Sequence, residues 1–465
     1  MLDPRAHWYY NALDFPALWE EMPPPPVYFD TVFKMPAEQL RELQNSRFLA
    51  AMTHAWKNPF YQRHWGNVGL EAGDIKSLED LPKIPPYTVN DLRDSYERQP
   101  PFGEHMGVAV GDCPLVMQTS GGTTGLPRPT LHTPRDREIS DILVARRAYS
   151  HGIRPGDIVQ VTFSMGLTNG GVANRDALWK YTGALGVMTG TGSATPTRRQ
   201  IELARAWGSN VMMGFPPYLR HLAQVARDEM NFDVRELNIK CLGTALGLDR
   251  RESIETLWGA PVFEYYGFNE SGVVATNCEL REGMHIFEDA HFIEVADPET
   301  YEACPVGDPG VLLVTTFYRE AAPIIRFNVN DVSAIMPGTC ACGGTHRRLD
   351  KIRGRNDNMI KLRGVNVFPE AIGAVLLTDK RSTGEYVCTV QTVGASARDE
   401  MTVQIEAVQA DLAASETFRA ELEARVHEVL GVKVDVQVVP AGSLAMITGL
   451  TQKSKVKRRV DNRRR

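Results

Sequence analysis

The sequence predicts an α/β protein in which a large N-terminal domain precedes a small α+β C-terminal domain. Three short apolar segments, residues 156–163, 183–190 and 207–215, have the composition of buried strands. They alternate with amphipathic helical segments at 196–207 and 216–230. This alternation is typical of βα units arranged around a buried sheet.

The segments on either side of this region have a different character. The opening of the chain reads as helices interrupted by Met22–Pro26, where the proline run can only be an extended connector. After the βα region, residues 291–300 and 309–327 read as strands joined by turns. They predict an antiparallel or barrel-like β-rich subdomain.

The C-terminal part of the chain reads as a separate unit. Strands are predicted near 385–393 and 400–408, a helix from Glu416 to Leu430, and a further strand at 433–440. A few strands with one long helix predict a small α+β domain.

Composition and charge restrict the classes of function. The chain has 465 residues, is 43% hydrophobic and 23% charged, and is therefore an ordinary globular protein of two or more domains. Its formal net charge of −6 argues against a general nucleic-acid binder, although residues 453–465 are strongly basic. No apolar run approaches the roughly 18 residues that span a bilayer, and the first residues lack the features of a signal peptide. We therefore predict a cytoplasmic protein without nucleic-acid or membrane partners.

A glycine-rich loop follows the predicted strand at 113–119. Residues 119–129 read TSGGTTGLPRP. A bend of this kind turns several backbone NH groups inward, and its hydroxyls add donors, which suits phosphate oxygens. The loop does not match GxxxxGK[ST], because Leu126 and Pro127 follow Gly125. By itself it is equally consistent with a surface turn.

Four further segments follow this loop, at 264–271, 322–332, 349–369 and 451–461. In this order the five segments resemble the core motifs of adenylate-forming enzymes. Within that superfamily the chain most resembles the phenylacetate-CoA ligase family, on the stretches GLTNGG, HIFEDAHFIEV, CACGGTHRRL and GVNVFP. The resemblance covers nearly the whole chain from about Tyr61.

The resemblance implies both a fold and an activity. A large multi-subdomain domain, residues 1–356, would bind ATP and the acid, and a small mobile α+β domain, residues 357–465, would carry the catalytic lysine. The implied activity is that of an ATP-dependent aryl or arylacetic acid–CoA ligase, which forms an acyl-AMP and transfers the acyl group to CoA with release of AMP and pyrophosphate. The implied partners are an aromatic carboxylic acid, ATP with Mg²⁺, and CoA, and a homodimer is one candidate assembly.

By resemblance, the nucleotide is assigned first to the loop and to the motif around residue 265. The loop would hold the β- and γ-phosphates, with Thr123 also catalytic, through Ser120, Gly121, Gly122, Thr123, Thr124 and Gly125. The adenine would lie against Ala245, Glu264, Tyr265, Tyr266 and Gly267, with Tyr265 stacked on its face. Glu270 would bind the Mg²⁺ that bridges the phosphates. A buried tyrosine and a surface glutamate are the alternatives.

The later motifs supply the remaining contacts. By resemblance, Asp331 would accept both ribose hydroxyls and Arg355 would add a second contact. Lys455 would stabilise the developing charge on the carboxylate and α-phosphate. Lys453 and Lys457 are alternatives if the motif alignment shifts by two residues. Asp357 matches the hinge position, although it is also consistent with a capping aspartate.

The basic tail has two interpretations. It is most simply a solvent-exposed chain end, and the alternative is a binding site for the 3′-phosphate of CoA.

The acyl pocket is assigned by resemblance to three stretches. Its candidate residues are Phe163, Met165, Gly170, Gly171, Phe215, Tyr218 and Gly243, each of which could equally belong to the core. Such an apolar slot suits a flat aromatic acid better than a branched or highly charged one. Asn169, Asn174 and Arg175 are candidates for recognising a ring substituent. The acid stays open among phenylacetate, benzoates and indole-type acids.

Cysteine usage raises a separate possibility. Seven scattered cysteines argue against a disulfide scaffold. Cys278 and His285, with the Cys-x-Cys pair Cys340 and Cys342, could form a closed tetrahedral Zn²⁺ site, which would be structural. His346 is the reserve ligand, and buried thiols beside a turn are the alternative.

Two other functions are consistent with parts of the sequence. An adenylation enzyme could load the acid onto the phosphopantetheine arm of a carrier protein, and the absence of a carrier domain in this chain favours CoA without deciding the matter. A non-enzymatic zinc and nucleic-acid binding protein would leave the glycine loop and the segments around Glu270 and Asp331 unexplained.

Overall fold

The structure is a computed structural model, and it describes residues 8–119, 127–356, 360–362, 365–367, 369–393, 398–448 and 457–463. The chain divides into two compact units. The larger comprises Met1–Ala245, Trp258–Val329 and Ser333–Lys351, and the smaller comprises Leu246–Leu257, Asn330–Val332 and Ile352–Arg465.

The described residues form helices and strands in alternation. The helices are α1 Trp8–Asn11, α2 Phe15–Glu21, α3 Val27–Asp30, α4 Ala37–Ala55, α5 Pro59–Gly66, α6 Val89–Arg98, α7 Pro134–Ser150, α8 Asn169–Ala177, α9 Thr197–Trp207, α10 Pro216–Met230, α11 Arg251–Trp258, α12 Ile372–Leu376, α13 Ala410–Ala413, α14 Glu416–Leu430 and α15 Ala445–Thr448. The strands are β1 Val116–Thr119, β2 Pro129–His132, β3 Ile158–Val161, β4 Leu185–Met188, β5 Val211–Met213, β6 Cys241–Thr244, β7 Val262–Phe268, β8 Gly272–Thr276, β9 Met284–Ile286, β10 His291–Ala296, β11 Gly310–Thr316, β12 Ile324–Ser333, β13 Arg348–Leu349, β14 Gly354–Arg355, β15 Ile360–Leu362, β16 Val365–Val367, β17 Ser382–Val393, β18 Arg398–Ala407, β19 Asp435–Pro440 and β20 Arg459–Asp461.

An eight-stranded sheet forms the centre of the larger unit, in the order β13-β9-β8-β7-β6-β5-β3-β4. Strands β3 to β7 pair in parallel, whereas β8, β9 and β13 continue the sheet antiparallel. The predicted α/β fold class is confirmed. The parallel half matters most for function, because in such sheets ligands bind at the carboxyl ends of the strands.

The helices between these strands begin and end where the sequence supplies the local chemistry. Helix α10 has prolines in its first turn and ends at Asn231, whose left-handed φ of 47° stops the helix. Helix α9 ends in the same way at Gly208, with φ of 66°. Helix α7 starts with a capping box between Thr133 and Asp136. These signals explain why the predicted bounds of α10 match the observed ones.

Helix α7 is buried over most of its length, although it is rich in charged residues. Its charges are balanced by buried ion pairs, because an unpaired buried charge is costly. Arg146 pairs with Asp289 at 2.9 Å, and Arg137 pairs with Asp141 at 2.9 Å. One arginine of this helix, Arg147, departs from this rule, because no Asp or Glu among the described residues pairs with it.

The predicted β-rich segment is antiparallel within the larger unit. Strands β10 and β11 pair from His291↔Thr316 to Ala296↔Val311. Strand β12 extends this sheet. Its residues Asp331 and Val332, which are counted with the smaller unit, pair antiparallel with β14.

The smaller unit has its own sheet and core. The sheet order is β19-β18-β17-β20, in which β17 and β18 are antiparallel and the two outer strands run parallel to their neighbours. Helix α14 packs Phe418, Leu422 and Val426 into the same hydrophobic core as the inward side chains of the sheet. Within the described residues, no helix combines the length and hydropathy needed to cross a bilayer.

Candidate active site

The carboxyl ends of neighbouring parallel strands carry most of the predicted acyl and adenine residues. Phe163 follows β3, Phe215 follows β5, Ala245 follows β6, and Tyr265 lies in β7. These four strands are adjacent and parallel. Their carboxyl ends therefore meet at one edge of the sheet.

An aromatic pair stands at this edge. The rings of Phe163 and Phe215 lie 4.9 Å apart at 72°, which is an edge-to-face contact. Gly170 faces Phe163, because an added Cβ would lie 3.8 Å from that ring. Gly171 permits a close approach, since a Cβ there would lie 2.3 Å from the Ser164 carbonyl oxygen and 2.7 Å from Met165 Sδ. The structure thus brings Phe163, Met165, Gly170, Gly171 and Phe215 together.

The other two predicted acyl residues have different surroundings. A Cβ on Gly243 would lie 2.4 Å from Met213 Sδ, so Met213 already fills that space. Tyr218 lies in the first turn of α10, where its hydroxyl bonds Thr197 Oγ1 at 3.3 Å.

Successive residues of β7 face opposite sides of the sheet, which separates the two neighbouring tyrosines. Tyr265 packs against the apolar cluster that contains Phe163, and Phe215 packs against the same cluster. Tyr266 is buried and lies near Phe268, with 6.5 Å between the ring centroids. The predicted adenine contact of Tyr265 stays a prediction, and its side chain lies on the acyl side.

The backbone of the adenine motif is shaped by close strand contacts. The NH of Glu264 donates to Asn277 Oδ1 at 2.7 Å, and Glu264 is buried. A Cβ on Gly267 would lie 2.2 Å from the carbonyl oxygen of Gly272, so this position requires glycine where β7 and β8 turn.

Glu270 lies at the base of the glycine-rich loop. Strands β1 and β2 pair up to Thr119↔Pro129 and so bring the two ends of the loop together. Arg128, next to β2, donates to Glu270 Oε1 at 2.6 Å, and Asn269 donates to Thr130 Oγ1 at 2.7 Å. A half-buried carboxylate beside a predicted phosphate loop has the hard oxygen ligands that Mg²⁺ prefers.

Several predicted residues lie outside the described part of the chain. They are the predicted phosphate-loop residues Ser120, Gly121, Gly122, Thr123, Thr124 and Gly125, the predicted hinge residue Asp357 and the predicted catalytic lysine Lys455. Their roles stay predictions. The NH of Lys457 donates to the Thr448 carbonyl oxygen at 2.8 Å.

The predicted ribose residues meet in the smaller unit. Asp331 and Arg355 stand opposite each other in the β12–β14 pair, and an Arg355 guanidinium nitrogen lies 3.2 Å from Asp331 Oδ1. Asn330 has a left-handed φ of 63°, a conformation that favours glycine and that asparagine tolerates.

The four predicted zinc ligands form a compact cluster in the larger unit. The ligand atoms of Cys278, His285, Cys340 and Cys342 all lie within 4.8 Å of one another. The sulfurs of Cys278 and Cys340 are 3.8 Å apart, and Cys342 Sγ lies 3.4 Å from His285 Nε2. Three thiols and one imidazole are a donor set that suits structural zinc.

The surroundings of this cluster orient the imidazole. His285 Nδ1 lies 3.2 Å from the carbonyl oxygen of His346, which leaves Nε2 directed at the cysteines. The reserve ligand His346 is engaged elsewhere, because its ring nitrogens contact the carbonyl oxygens of Ile286 at 2.9 Å and Val32 at 3.1 Å.

Two arginines near the site were not singled out from the sequence. Arg128 had a detectable signal, since it is a cation close behind a predicted phosphate loop. Arg147 had none, because an arginine in an amphipathic helix is ordinarily solvent-exposed, and its burial becomes visible only in the packed structure.

Comparison with known proteins identifies the family. Residues 70–317 match the family described as AMP-binding enzyme, and residues 364–463 match the AMP-binding enzyme C-terminal domain. The chain is 30% identical over 441 residues to the phenylacetate-coenzyme A ligase of Thermus thermophilus, covering 90% of this chain and 96% of that protein. It is 29% identical to the phenylacetate-coenzyme A ligase of Escherichia coli, covering 90% and 95% of the two chains.

A solved structure is similar over almost the same extent. It is the crystal structure of 2-hydroxyisobutyryl-CoA ligase in the postadenylation state, with a TM-score of 0.83, 28% identity, and coverage of 97% of this chain and 96% of that one. With the sheet edge and the order of the motifs, these findings show that the chain belongs to the AMP-binding enzyme family and is an adenylate-forming acyl-CoA ligase related to the phenylacetate-CoA ligases.

Proposed function

We propose that this ligase activates an aromatic carboxylic acid, of the aryl or arylacetic type, as an acyl-AMP and transfers the acyl group to CoA. The observation that carries the proposal is the Phe163–Phe215 pair, with Gly170 beside it, at the carboxyl edge of the parallel strands. Rings in an edge-to-face arrangement, next to a position without a side chain, form a slot that suits a flat ring. The names of the phenylacetate-CoA ligases at about 30% identity support the same class of acid.

In this proposal the acid's carboxylate attacks the α-phosphorus of ATP and pyrophosphate leaves. The CoA thiol then attacks the acyl carbon and AMP leaves. The protein contributes mainly position and electrostatic stabilisation to the first step. Ser120, Thr123 and the neighbouring glycines would hold the β- and γ-phosphates, and Lys455 would stabilise the charge that develops between the carboxylate and the α-phosphate.

Glu270 would hold Mg²⁺ at the phosphates, where the ion would neutralise charge on the triphosphate. The ion pair with Arg128 supports this placement, because it fixes the carboxylate at the base of the loop. We infer that Arg128 exchanges its carboxylate partner for phosphate oxygens when Mg·ATP binds. Asp331 would bind the ribose hydroxyls, with Arg355 setting the position of its carboxylate.

The smaller unit would supply Lys455 and move about Asp357 between the two steps. The domain boundary would lie between residues 356 and 357, and the protein would be cytoplasmic. CoA as the acyl acceptor is a property of the relatives named above, and a carrier protein is tested against it by comparing product formation with free CoA and with holo-carriers.

We also propose that Cys278, His285, Cys340 and Cys342 bind a structural zinc ion. The closed donor set supports a structural role, since a catalytic zinc keeps one position open. The cluster would tie the segment around Cys278 to the turn that carries Cys340 and Cys342.

A screen of acids tests the substrate class. Aromatic acids, short branched hydroxy acids and linear fatty acids would be compared for AMP release that depends on both acid and CoA. The proposal expects the highest kcat/KM among the aromatic acids. Preferential use of 2-hydroxyisobutyrate or of a linear acid would contradict it and leave the acyl-CoA ligase class intact.

A further inference from the structure

A buried cation without a carboxylate partner lies beside the acyl-side aromatic residues. Arg147 of α7 is 1% exposed, and its guanidinium carbon lies 4.4 Å from the centroid of the Tyr265 ring. One terminal nitrogen donates to Asn174 Oδ1 at 2.5 Å, and Nε has no hydrogen-bond partner. In the described part of the chain, no Asp or Glu forms an ion pair with Arg147.

The neighbouring arginines of the same helix show that this arrangement is unusual. Arg146 pairs with Asp289, and Arg137 pairs with Asp141. A buried guanidinium is costly unless an anion or several acceptors compensate it. Tyr265, through its ring face and a side-chain hydrogen bond, and the amide oxygen of Asn174 compensate Arg147 only in part. Burial accordingly lowers the pKa of Arg147.

A second unpartnered nitrogen lies one turn along the helix. His151 is 2% exposed, and its Nδ1 has no hydrogen-bond partner. Its ring stacks on Phe263 at 5.1 Å, and a Cβ on Gly243 would lie 3.4 Å from Nδ1. The polar atoms of Arg147 and His151 therefore adjoin Tyr265 and Gly243, on the side of the sheet where the Phe163 cluster lies.

We propose that Tyr265 and Arg147 form the end of the acyl pocket that recognises a ring substituent, and that the preferred acid carries a hydrogen-bond acceptor there, such as a hydroxyl or carbonyl oxygen. Tyr265, which is only partly buried, contacts the substituent through its hydroxyl group. Arg147 is a positioning residue that holds the ring by its face and supplies positive charge. The Asn174 amide is engaged within the protein, because its oxygen accepts from Arg147 and its nitrogen donates to the Gly170 carbonyl oxygen at 2.8 Å.

This inference rests on the proposed aromatic-acid activity and is tested with isosteric pairs of acids. The 2-, 3- and 4-hydroxybenzoates are compared with the corresponding methylbenzoates, and the hydroxyphenylacetates with the methylphenylacetates. The readout is the ratio of kcat/KM for the hydroxyl acid to that for the methyl acid. The wild type is expected to favour at least one hydroxyl isomer by about 10-fold or more, since a site built around donors rejects an analogue without the acceptor.

Variants then test whether Tyr265 and Arg147 cause this preference for the hydroxyl acid. Tyr265→Phe and Arg147→Met are each expected to lower the ratio by about 10-fold. Arg147→Gln serves as a second neutral variant if Arg147→Met does not fold. Arg154→Gln is the matched control, because Arg154 also lies over a tyrosine ring, at 3.6 Å from Tyr149, but is exposed. A purely structural role would lower kcat/KM for both acids equally and leave the ratio unchanged.

Two results would overturn the inference, and they are distinguishable. Turnover of the paired acids with a wild-type ratio near one, or a ratio that persists in both neutral Arg147 variants, refutes recognition by Tyr265 and Arg147 and leaves the aromatic activity standing. No turnover of either member of any pair refutes the proposed aromatic activity itself and the inference with it.

Discussion

Replacing Cys340 with serine removes one of the four ligands from the proposed zinc site. In a tetrahedral site with Zn–S bonds of about 2.3 Å, two thiolate sulfurs stand about 3.8 Å apart, and a sulfur and an imidazole nitrogen about 3.6 Å. The observed separations are 3.8 Å between Cys278 and Cys340 and 3.4 Å between Cys342 and His285. These two separations lie close to the tetrahedral values, and all four ligand atoms lie within 4.8 Å of one another.

The expected effect on stability follows from ligand binding to the folded state. Free zinc at 100 times its dissociation constant stabilises the protein by about 2.7 kcal/mol. For a unit of this size such a gain raises Tm by roughly 4 °C. We expect purified wild type to contain stoichiometric zinc and to lose about this much Tm on treatment with a strong chelator. Cys340→Ser should lack zinc and should melt near the chelated wild type, with no further response to chelator.

The assays are elemental analysis and thermal melting. Cys304→Ser is the control, because Cys304 is a free cysteine outside the cluster, with its sulfur 3.8 Å from the Pro309 carbonyl oxygen. Wild type purified without chelators that contains only traces of zinc, and whose Tm does not rise when zinc is added, would refute the site.

Three further predictions concern catalysis and stability. Lys455→Ala should suppress acyl-AMP formation, measured as acid-dependent pyrophosphate exchange, and spare CoA-dependent consumption of a supplied acyl-AMP; equal loss of both activities would remove the lysine from its role. Glu270→Gln should raise the Mg²⁺ concentration for half-maximal activity by about 10-fold or more, since it removes a charged oxygen ligand; an unchanged Mg²⁺ response would exclude Glu270 as the ligand. Burial would raise the pKa of Asp289, but the guanidinium groups of Arg146 and Arg47 outweigh burial and hold it below its usual value. The resulting stabilisation is present above a pH of about 4 and is lost as the pH falls through the lowered pKa. Asp289→Asn should therefore lower the free energy of unfolding by about 3–5 kcal/mol at pH 7, with a smaller deficit in acid. The exposed, ion-paired Asp228 provides the control, and a loss in Asp289→Asn no larger than in Asp228→Asn would contradict the reasoning.

Elements with strong local signals could be predicted from the sequence. The predicted segments 216–230 and 416–430 coincide with α10 and α14. In α10, prolines mark the start and a left-handed asparagine follows the end. In α14, Ser415 caps the start and Gly431 follows the end with φ of 67°. The apolar strand segments were also located, although β5 is shorter than the stretch that predicted it.

Features that depend on distant partners could not be predicted in the same way. The basic tail was expected most simply as a solvated end, yet Arg459–Asp461 forms β20, which pairs in parallel with β17. Arg458 pairs with Glu385 at 2.8 Å, and Arg463 pairs with Asp399 at 2.9 Å. Because these acidic partners lie more than 60 positions away along the chain, no local pattern reveals the pairing.

The candidate site shows the same division. Cys340 and Cys342 form a recognisable local motif, and the structure brings them to the predicted partners Cys278 and His285. The burial of Arg147 against Tyr265 arises only when α7 packs on the sheet. The ligands of the cysteine and histidine cluster could therefore be predicted from the sequence, whereas the buried contact between Arg147 and Tyr265 could not.

Mass spectrometry of a single turnover tests most directly whether the enzyme activates an aromatic acid as an adenylate. With ATP, Mg²⁺ and an aromatic acid but no CoA, the enzyme is expected to accumulate the aryl or arylacetyl adenylate and pyrophosphate. Addition of CoA should convert that adenylate to the thioester and AMP. Formation of ADP and phosphate, or the absence of an adenylate with every aromatic acid while an aliphatic acid forms one, would contradict the account.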